Sequence, residues 1–127
     1  MLTSDNLSNL PTYLTYDDVL LLPNYSEVRP GDADLSAQLT DKIKLGLPVI
    51  ASPMDTVCEE RMAIEIAKLG GIGIIHKNLS VEEEANQVKA VRDKNLLVGA
   101  SASMASDFND RVEACVKAGA SVICIDT

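Results

Sequence analysis

Aromatic residues are scarce in this 127-residue chain, which contains one Phe, three Tyr and no Trp. Hydrophobic residues nevertheless make up 46% of the sequence, which is enough to form a buried core. We therefore expect a single domain whose core is packed mainly from small aliphatic side chains.

Basic residues are also few, with 11 Lys and Arg against 19 Asp and Glu and a net charge of −8. Nucleic-acid binding needs clustered cationic side chains to neutralise phosphates, so this balance argues against a nucleic-acid partner. No apolar run approaches the roughly 20 residues of a membrane span. The first residues lack the basic and apolar regions of a secretion signal. We expect a soluble, cytoplasmic protein without a membrane partner.

Residues that form metal sites or disulfides are rare. The three cysteines are widely spaced, no C-x-x-C pair occurs and there is one His, so neither a zinc site nor a disulfide framework is indicated. Cys115 and Cys124 fall on the apolar face of a predicted helix and inside a predicted strand, and are expected in the core. Cys58 falls in the first turn of a predicted helix, where the dipole could lower the thiol pKa. A structural role is favoured there too, because local spacing places no His or Lys beside it.

A repeated strand-and-helix unit dominates residues 48–125. The apolar run Val49–Ala51 predicts a buried strand that ends in the polar turn SPMDT. Thr56 and Glu59 have the spacing of a capping box, which predicts a helix start at Thr56. The helix ends at Gly70-Gly71, and the next strand, residues 72–75, ends in HKN. The residues predicted to face inward are Met62, Ala63, Ile66, Ala67 and Leu69.

The unit then occurs twice more. Ser80 and Glu83 form a second capping box before a helix, and residues 96–100 follow as a strand. Ser106-Asp107 predicts the start of a third helix, and residues 122–125 form a strand that ends at Asp126. Predicted strand starts at 49, 72, 96 and 122 leave room for right-handed crossovers between parallel strands. The inward residues expected on the third helix are Phe108, Val112, Cys115 and Val116.

Two α/β architectures fit this regular repeat of strand and helix: an open doubly wound sheet, or the first half of a (β/α)8 TIM barrel. Both place functional sites at the carboxyl ends of the strands. An open nucleotide-binding sheet would carry G-x-G-x-x-G directly after its first strand, whereas the glycines at 70, 71 and 73 precede a strand. No G-x-x-x-x-G-K loop occurs either, so the barrel is favoured.

The amino-terminal third has a different character. Residues 1–13 are polar and without period, which predicts a flexible arm. Residues 16–23 form a short turn followed by an apolar run. Leu35, Leu39, Ile43 and Leu45 alternate with polar residues, which predicts short antiparallel segments able to close the bottom of a barrel.

Three segments carry a specific resemblance that spans residues 14–127: LTYDDVLLLPNYSEV, then DLSAQLTDKIKLGLPVIASPMDTVCEERMAIEIAKLGGIGIIHKNLSVEEEANQV, then VEACVKAGASVICIDT. They resemble the opening of the catalytic domain of inosine-5'-monophosphate (IMP) dehydrogenase. The resemblance implies a (β/α)8 barrel and oxidation of IMP to xanthosine 5'-monophosphate with NAD, through a covalent thioimidate on a cysteine. Guanosine monophosphate (GMP) reductase shares the MDTV motif. The segment GGIGIIHKN resembles that enzyme less well, so GMP reductase ranks second.

The resemblance also implies roles for residues at the strand ends. Ser52 and Met54 resemble residues of the IMP pocket, with the hydroxyl near the phosphate or ribose and the thioether against the purine. Asp126 resembles the aspartate that hydrogen-bonds the nicotinamide ribose of NAD, with Thr127 beside it. His76 is a candidate for the edge of the cofactor site. In the absence of the resemblance, the alternative for Ser52 and Asp126 would be a structural role in a strand-end cap or turn.

Parts of the family pattern do not occur in these 127 residues. The G-x-G-S-x-C-x-T loop that carries the nucleophile, with its monovalent cation (K+) site, is absent, so we expect no catalytic residue here. Four of the eight barrel strands are predicted. Many family members insert a tandem regulatory module after the second helix, where this sequence has only residues 92–95, RDKN.

Two hypotheses follow from this pattern. In the first, residues 14–127 are the amino-terminal half of an IMP dehydrogenase barrel, which binds IMP and NAD, requires the carboxyl-terminal half for catalysis and forms the tetramers typical of the family. In the second, the chain is an inactive nucleotide-binding or oligomerising remnant. Unpaired strand edges favour association in either case.

Overall fold

The structure, a computed structural model, describes residues 11–126. The chain divides between Ala33 and Asp34 into two compact units. In the first unit, a 3-10 turn at Tyr16–Asp18 is closed by the Asp18 carboxylate, which accepts hydrogen bonds from the amide and hydroxyl of Thr15. A second 3-10 turn spans Pro30–Asp32. The apolar run that follows the first turn is exposed, with Leu21 accessible over 99% of its surface.

Within residues 34–126, the second unit contains six strands and three helices. A four-stranded parallel sheet has its strands in chain order and is preceded by a two-stranded antiparallel hairpin. The strands are β1 (Ala37–Thr40), β2 (Ile43–Leu45), β3 (Ile50–Ala51), β4 (Ile72–Ile75), β5 (Val98–Ala102) and β6 (Val122–Ile125). The helices are α1 (Glu60–Lys68), α2 (Val81–Arg92) and α3 (Phe108–Ala118).

The two faces of the parallel sheet are covered differently. Buried residues of all three helices pack in one cluster with Ile75, Val98 and Ala100 of the sheet. The alternate residues Ile72 and Ile74 form a second cluster with Leu45 of the hairpin. A doubly wound sheet reverses its strand order and carries helices on both faces. The consecutive order and single helical face observed here are instead consistent with a partial TIM barrel.

The hairpin confirms the antiparallel segments predicted for the amino-terminal third. Ala37 pairs with Leu45 and Thr40 with Ile43. Leu45 packs against Ile72, the first residue of β4, and half-buried Val122, the first of β6, packs against the same cluster. The hairpin therefore lies near the amino-terminal ends of the strands.

The first helix begins later than its capping-box spacing predicted. α1 starts at Glu60 with Glu59 as N-cap, and no side-chain cap bond forms. The predicted box at Thr56 is wrong because the chain first makes a turn in which the Met54 carbonyl accepts the amides of Val57 and Cys58. The amide of Glu60 is satisfied instead by Gln87 of α2, at 2.7 Å.

α1 packs closely on β4. Cys58 is buried before the helix begins, and a Cβ at Gly73 would lie 2.9 Å from its Sγ and 2.6 Å from the Cα of Ala63. Only glycine fits at this contact. The same packing brings Ala63 and Ile64 into the core, so the prediction that Met62 and Leu69 face inward is wrong.

The second helix agrees with its predicted start. The Ser80 hydroxyl accepts the Glu83 amide, and the Glu83 carboxylate accepts the Ser80 amide, as in a capping box. The strand that follows is displaced: β5 begins at Val98, two residues after the predicted start. The turn after α2 extends to Asn95, which has a positive φ of 58°, and Leu97 packs on the hairpin side of the sheet.

The third helix begins at Phe108 with Asp107 as N-cap, near its predicted start. Asp107 forms no side-chain cap bond, because its carboxylate binds the Arg111 guanidinium at 2.7 Å. Cys115 is buried as predicted, whereas Val116 is 53% exposed and that prediction is wrong. Arg111 takes the buried position on this helix because a carboxylate, Glu84, lies opposite it.

The Glu84–Arg111 pair is the main polar interaction of the core. Glu84 is completely buried, and its carboxylate binds Arg111 at 2.5 Å and the amide of Ser101 at 3.1 Å. Arg111 also donates to the carbonyl of Leu79. Burial raises the pKa of the Glu84 carboxyl, while Arg111 and the Ser101 amide act in the opposite direction.

We predict that Arg111→Ala will lower the free energy of unfolding by about 3–5 kcal/mol, because it leaves a buried carboxylate without its cation. Urea denaturation followed by circular dichroism measures the change. The matched control is Lys117→Ala on the same helix, which removes an exposed pair with Glu113 and should cost far less. Equal losses for the two variants would contradict a special role for the buried pair.

Candidate functional site

The carboxyl ends of the four parallel strands form the candidate site. Parallel strands place these ends at one edge of the sheet, and the loops that follow them carry most functional groups of such folds. Four of the five residues predicted from the resemblance are described here, and all four follow a strand at this edge. Thr127 lies outside the described residues.

Ser52 and Met54 lie in the turn after β3. The turn is tight, with the Met54 amide donating to the Ser52 carbonyl at 2.8 Å. Both side chains are exposed, Met54 over 54% of its surface. They are therefore accessible to a ligand at this edge, and their predicted contact with IMP stays a prediction.

His76 follows β4 and is 2% exposed. Its Nε2 lies 3.0 Å from the Glu59 carboxylate at the start of α1. This contact joins the end of β4 to the loop that follows β3. Sequence reasoning had assigned Glu59 only to a helix cap and missed the pairing, for which the sequence contains no local signal because the two residues are 17 positions apart.

Asp126 follows β6 and pairs with Lys77, which follows β4. The Lys77 Nζ lies 3.1 Å from Oδ2 of Asp126 and also donates to the Asp126 carbonyl oxygen. Because β5 lies between β4 and β6, the ion pair spans the end of β5. Lys77 was not among the predicted site residues, although its position directly after a strand was a signal that could have identified it.

A separate open groove of about 490 Å³ lies beside the edge, along the turn after β3 and the first turns of α1. Its lining includes three acidic residues, Asp55, Glu59 and Glu65, and one basic residue, Arg61. This charge disfavours a phosphate-bearing ligand. Ser52 and Met54 do not line it, so the strand ends remain the better candidate for nucleotide binding.

Other kinds of site find no support within residues 11–126. No group of three or more His, Cys, Asp or Glu side chains is arranged to hold a metal ion there. None of the described helices has the length and apolar character needed to cross a bilayer.

Comparison with known proteins decides the family. Residues 13–127 match the IMP dehydrogenase / GMP reductase domain. The chain belongs to that family. Over 79 residues it is 57% identical to inosine-5'-monophosphate dehydrogenase of Staphylococcus aureus strain Mu50 and 58% identical to that of Staphylococcus epidermidis. The matched segment is 62% of this chain and 16% of each relative, so the chain spans only a small part of their length.

The buried thiols behave as core residues in this family member. Burial raises the pKa of Cys58 to about 11 and that of Cys115 to about 12. Cys58 precedes α1, which begins at Glu60, and its burial and raised pKa agree with the structural role that was favoured for it. A raised pKa leaves almost no thiolate near neutral pH, and the thiolate is the nucleophile.

We predict that Cys58 and Cys115 in the folded chain will react with iodoacetamide much more slowly than in urea, and that half-buried Cys124 will be labelled first. Timed alkylation followed by peptide mass spectrometry measures each site. Cys58→Ser should leave the labelling rate of Cys124 unchanged, which serves as a control. Rapid alkylation of native Cys58 would mean that its thiol is accessible and activated.

Proposed function

We propose that this chain is the amino-terminal half of the catalytic barrel of an NAD-dependent IMP dehydrogenase, which oxidises IMP to xanthosine 5'-monophosphate. The proposal draws on membership of the family and on the dehydrogenase names of the staphylococcal relatives. In it, residues 14–127 supply half of an eight-stranded barrel without a regulatory module between α2 and β5. Completed barrels form a tetramer, and IMP and NAD are the ligands.

The observation that carries the proposal is the Lys77–Asp126 pair at the ends of β4 and β6. Lys77 lies next to Oδ2 of Asp126, and the Asp126 side chain is 38% exposed, which leaves part of it accessible to a ligand. A carboxylate that accepts ribose hydroxyls is a common means of binding a dinucleotide. When bound, NAD accepts the hydride from IMP. In the proposal Asp126 holds the nicotinamide ribose, with Thr127 beside it and His76 at the edge of the site.

The turn after β3 would contact IMP. Ser52 presents a short hydroxyl suited to the phosphate or ribose, and Met54 presents a polarizable thioether suited to the flat face of a purine. Their exposure leaves both surfaces free for such contacts. The chain's share of the reaction is thus binding and orientation. The nucleophilic cysteine and the K+ site belong to barrel segments beyond these 127 residues.

We predict that the chain, co-produced with the remaining barrel segments of the staphylococcal relative, will form a soluble complex that makes NADH from NAD only when IMP is present. Absorbance of NADH measures the rate. The chain alone and the complementary segments alone are the controls. A soluble, stoichiometric complex without IMP-dependent NADH would contradict the dehydrogenase and favour the inactive remnant.

GMP reductase is the second candidate, because the matched family includes both enzymes. The same complex distinguishes the two. Consumption of a reduced nicotinamide cofactor with GMP, in the absence of NADH formation with IMP, would assign the chain to the reductase.

We predict that Asp126→Ala in the active complex will raise KM for NAD, or lower turnover, by about ten- to a hundredfold, because hydrogen bonds to a charged group contribute about 1.5–3 kcal/mol. Binding of IMP, measured by calorimetry, should change little. Asp93→Ala is the control, since Asp93 is an exposed acid paired with Lys89 on α2. Equal losses for IMP and NAD would remove Asp126 from the cofactor site.

A further inference from the structure

Two buried polar atoms in residues 11–126 have no hydrogen-bond partner: Nδ1 of His76 and Oγ of Ser101. Both residues are almost completely buried, at 2% and 1% exposure. Buried side-chain polar atoms nearly always have a partner, so two exceptions in one region require an explanation. Neither atom is used by the interactions already described.

The two residues occupy neighbouring positions in the sheet. The parallel register pairs Ile74 with Gly99 and Ile75 with Ala100. Continued by one position, this register sets His76, the residue that follows β4, beside Ser101 of β5. Adjacent strands lie about 4.8 Å apart, so polar side chains at adjacent positions can share one bridging water.

Both residues are also held in place by carboxylates. The amide of Ser101 donates to Oε1 of Glu84, which fixes the backbone at the end of β5. On the other side, Glu59 lies 3.0 Å from Nε2 of His76. An ionised carboxylate can only accept hydrogen bonds, so a neutral imidazole in this position carries its proton on Nε2. Its Nδ1 is then an acceptor that faces no donor, and the Ser101 hydroxyl is the neighbouring group able to supply one.

We propose that Ser101 is a positioning residue for His76. Its hydroxyl donates to Nδ1 through one buried water, while Glu59 accepts the proton on Nε2. This chain of hydrogen bonds holds the imidazole in one tautomer and one orientation at the carboxyl end of β4. A role for this ring as one wall of the ligand site rests on the proposed function. The hydrogen-bond chain itself does not depend on the proposed function.

The single histidine makes the test direct, since its ring signals need no residue assignment and the correlation pattern distinguishes Nδ1 from Nε2. Long-range proton–nitrogen correlation spectra of the ¹⁵N-labelled chain, at alkaline pH where imidazole is neutral, report the tautomer. We expect the Nε2–H form, with the Nδ1 resonance shifted as for a nitrogen that accepts a hydrogen bond. Ser101→Ala should abolish that shift. Ser101→Thr, which keeps a hydroxyl at this position, should retain the shift.

Ser103→Ala is the matched control, because Ser103 is a half-buried serine just after the same strand. It should leave the ring spectrum unchanged. An Nδ1–H tautomer in the unmodified chain would overturn the proposal, as would an Nδ1 shift that survives Ser101→Ala in a folded variant. If Ser101→Ala does not fold, the spectra of the unmodified chain and of Ser101→Thr still test the proposal. Loss of the Nδ1 shift in Ser101→Thr, which keeps the hydroxyl, would contradict a hydroxyl donor.

A crystal structure of the chain gives an independent reading. One water within hydrogen-bond distance of both Oγ and Nδ1 supports the proposal, and separate partners for the two atoms contradict it. Both measurements report on the ring without substrate or cofactor. Failure of the hydrogen-bond chain is therefore distinguishable from failure of the proposed dehydrogenase activity.

Discussion

The buried carboxylate of Glu84 joins three elements that converge on the candidate site. It extends from α2 to the Ser101 amide at the end of β5 and to Arg111 on α3. Arg111 in turn donates a hydrogen bond to the carbonyl of Leu79, in the loop after β4. A buried carboxylate is costly unless it is paired and hydrogen-bonded, so these contacts must form together. The ends of β4 and β5 are therefore fixed relative to the helices behind them.

That constraint explains how exposed polar groups can be positioned at the edge of the sheet. Lys77 reaches Asp126 across the end of β5, and the reach depends on the spacing of β4, β5 and β6. The pair is partly exposed and would contribute little to stability by itself. The buried Glu84–Arg111 network, by contrast, fixes the end of β5 and the loop after β4, from which Lys77 extends.

The sequence predicted what local periodicity and capping determine. The Ser80–Glu83 box, the helix stop at Gly70 and the order of parallel strands all depend on neighbours close in the chain. The errors arose where a distant residue intervened. Gln87 satisfies the start of α1 in place of a local cap, and Glu84 draws Arg111 into the core, although only apolar residues of α3 were expected to face inward. The site residues came from a family resemblance, and their partners Lys77 and Glu59 required the fold, because the contacts join residues far apart in the chain.

Two consecutive residues at the end of β4 show how the parallel sheet organises its edge. His76 turns to Glu59 in the loop after β3, and Lys77 turns to Asp126 after β6. One strand end thus contacts the loop after β3, its neighbour on one side, and the residue after β6, two strands away on the other side. In the first contact the His76 ring is buried although the Glu59 carboxylate is half exposed, and in the second contact both side chains are partly exposed. A ligand bound at this edge would therefore have the packed imidazole on the β3 side and the partly exposed ion pair on the β6 side.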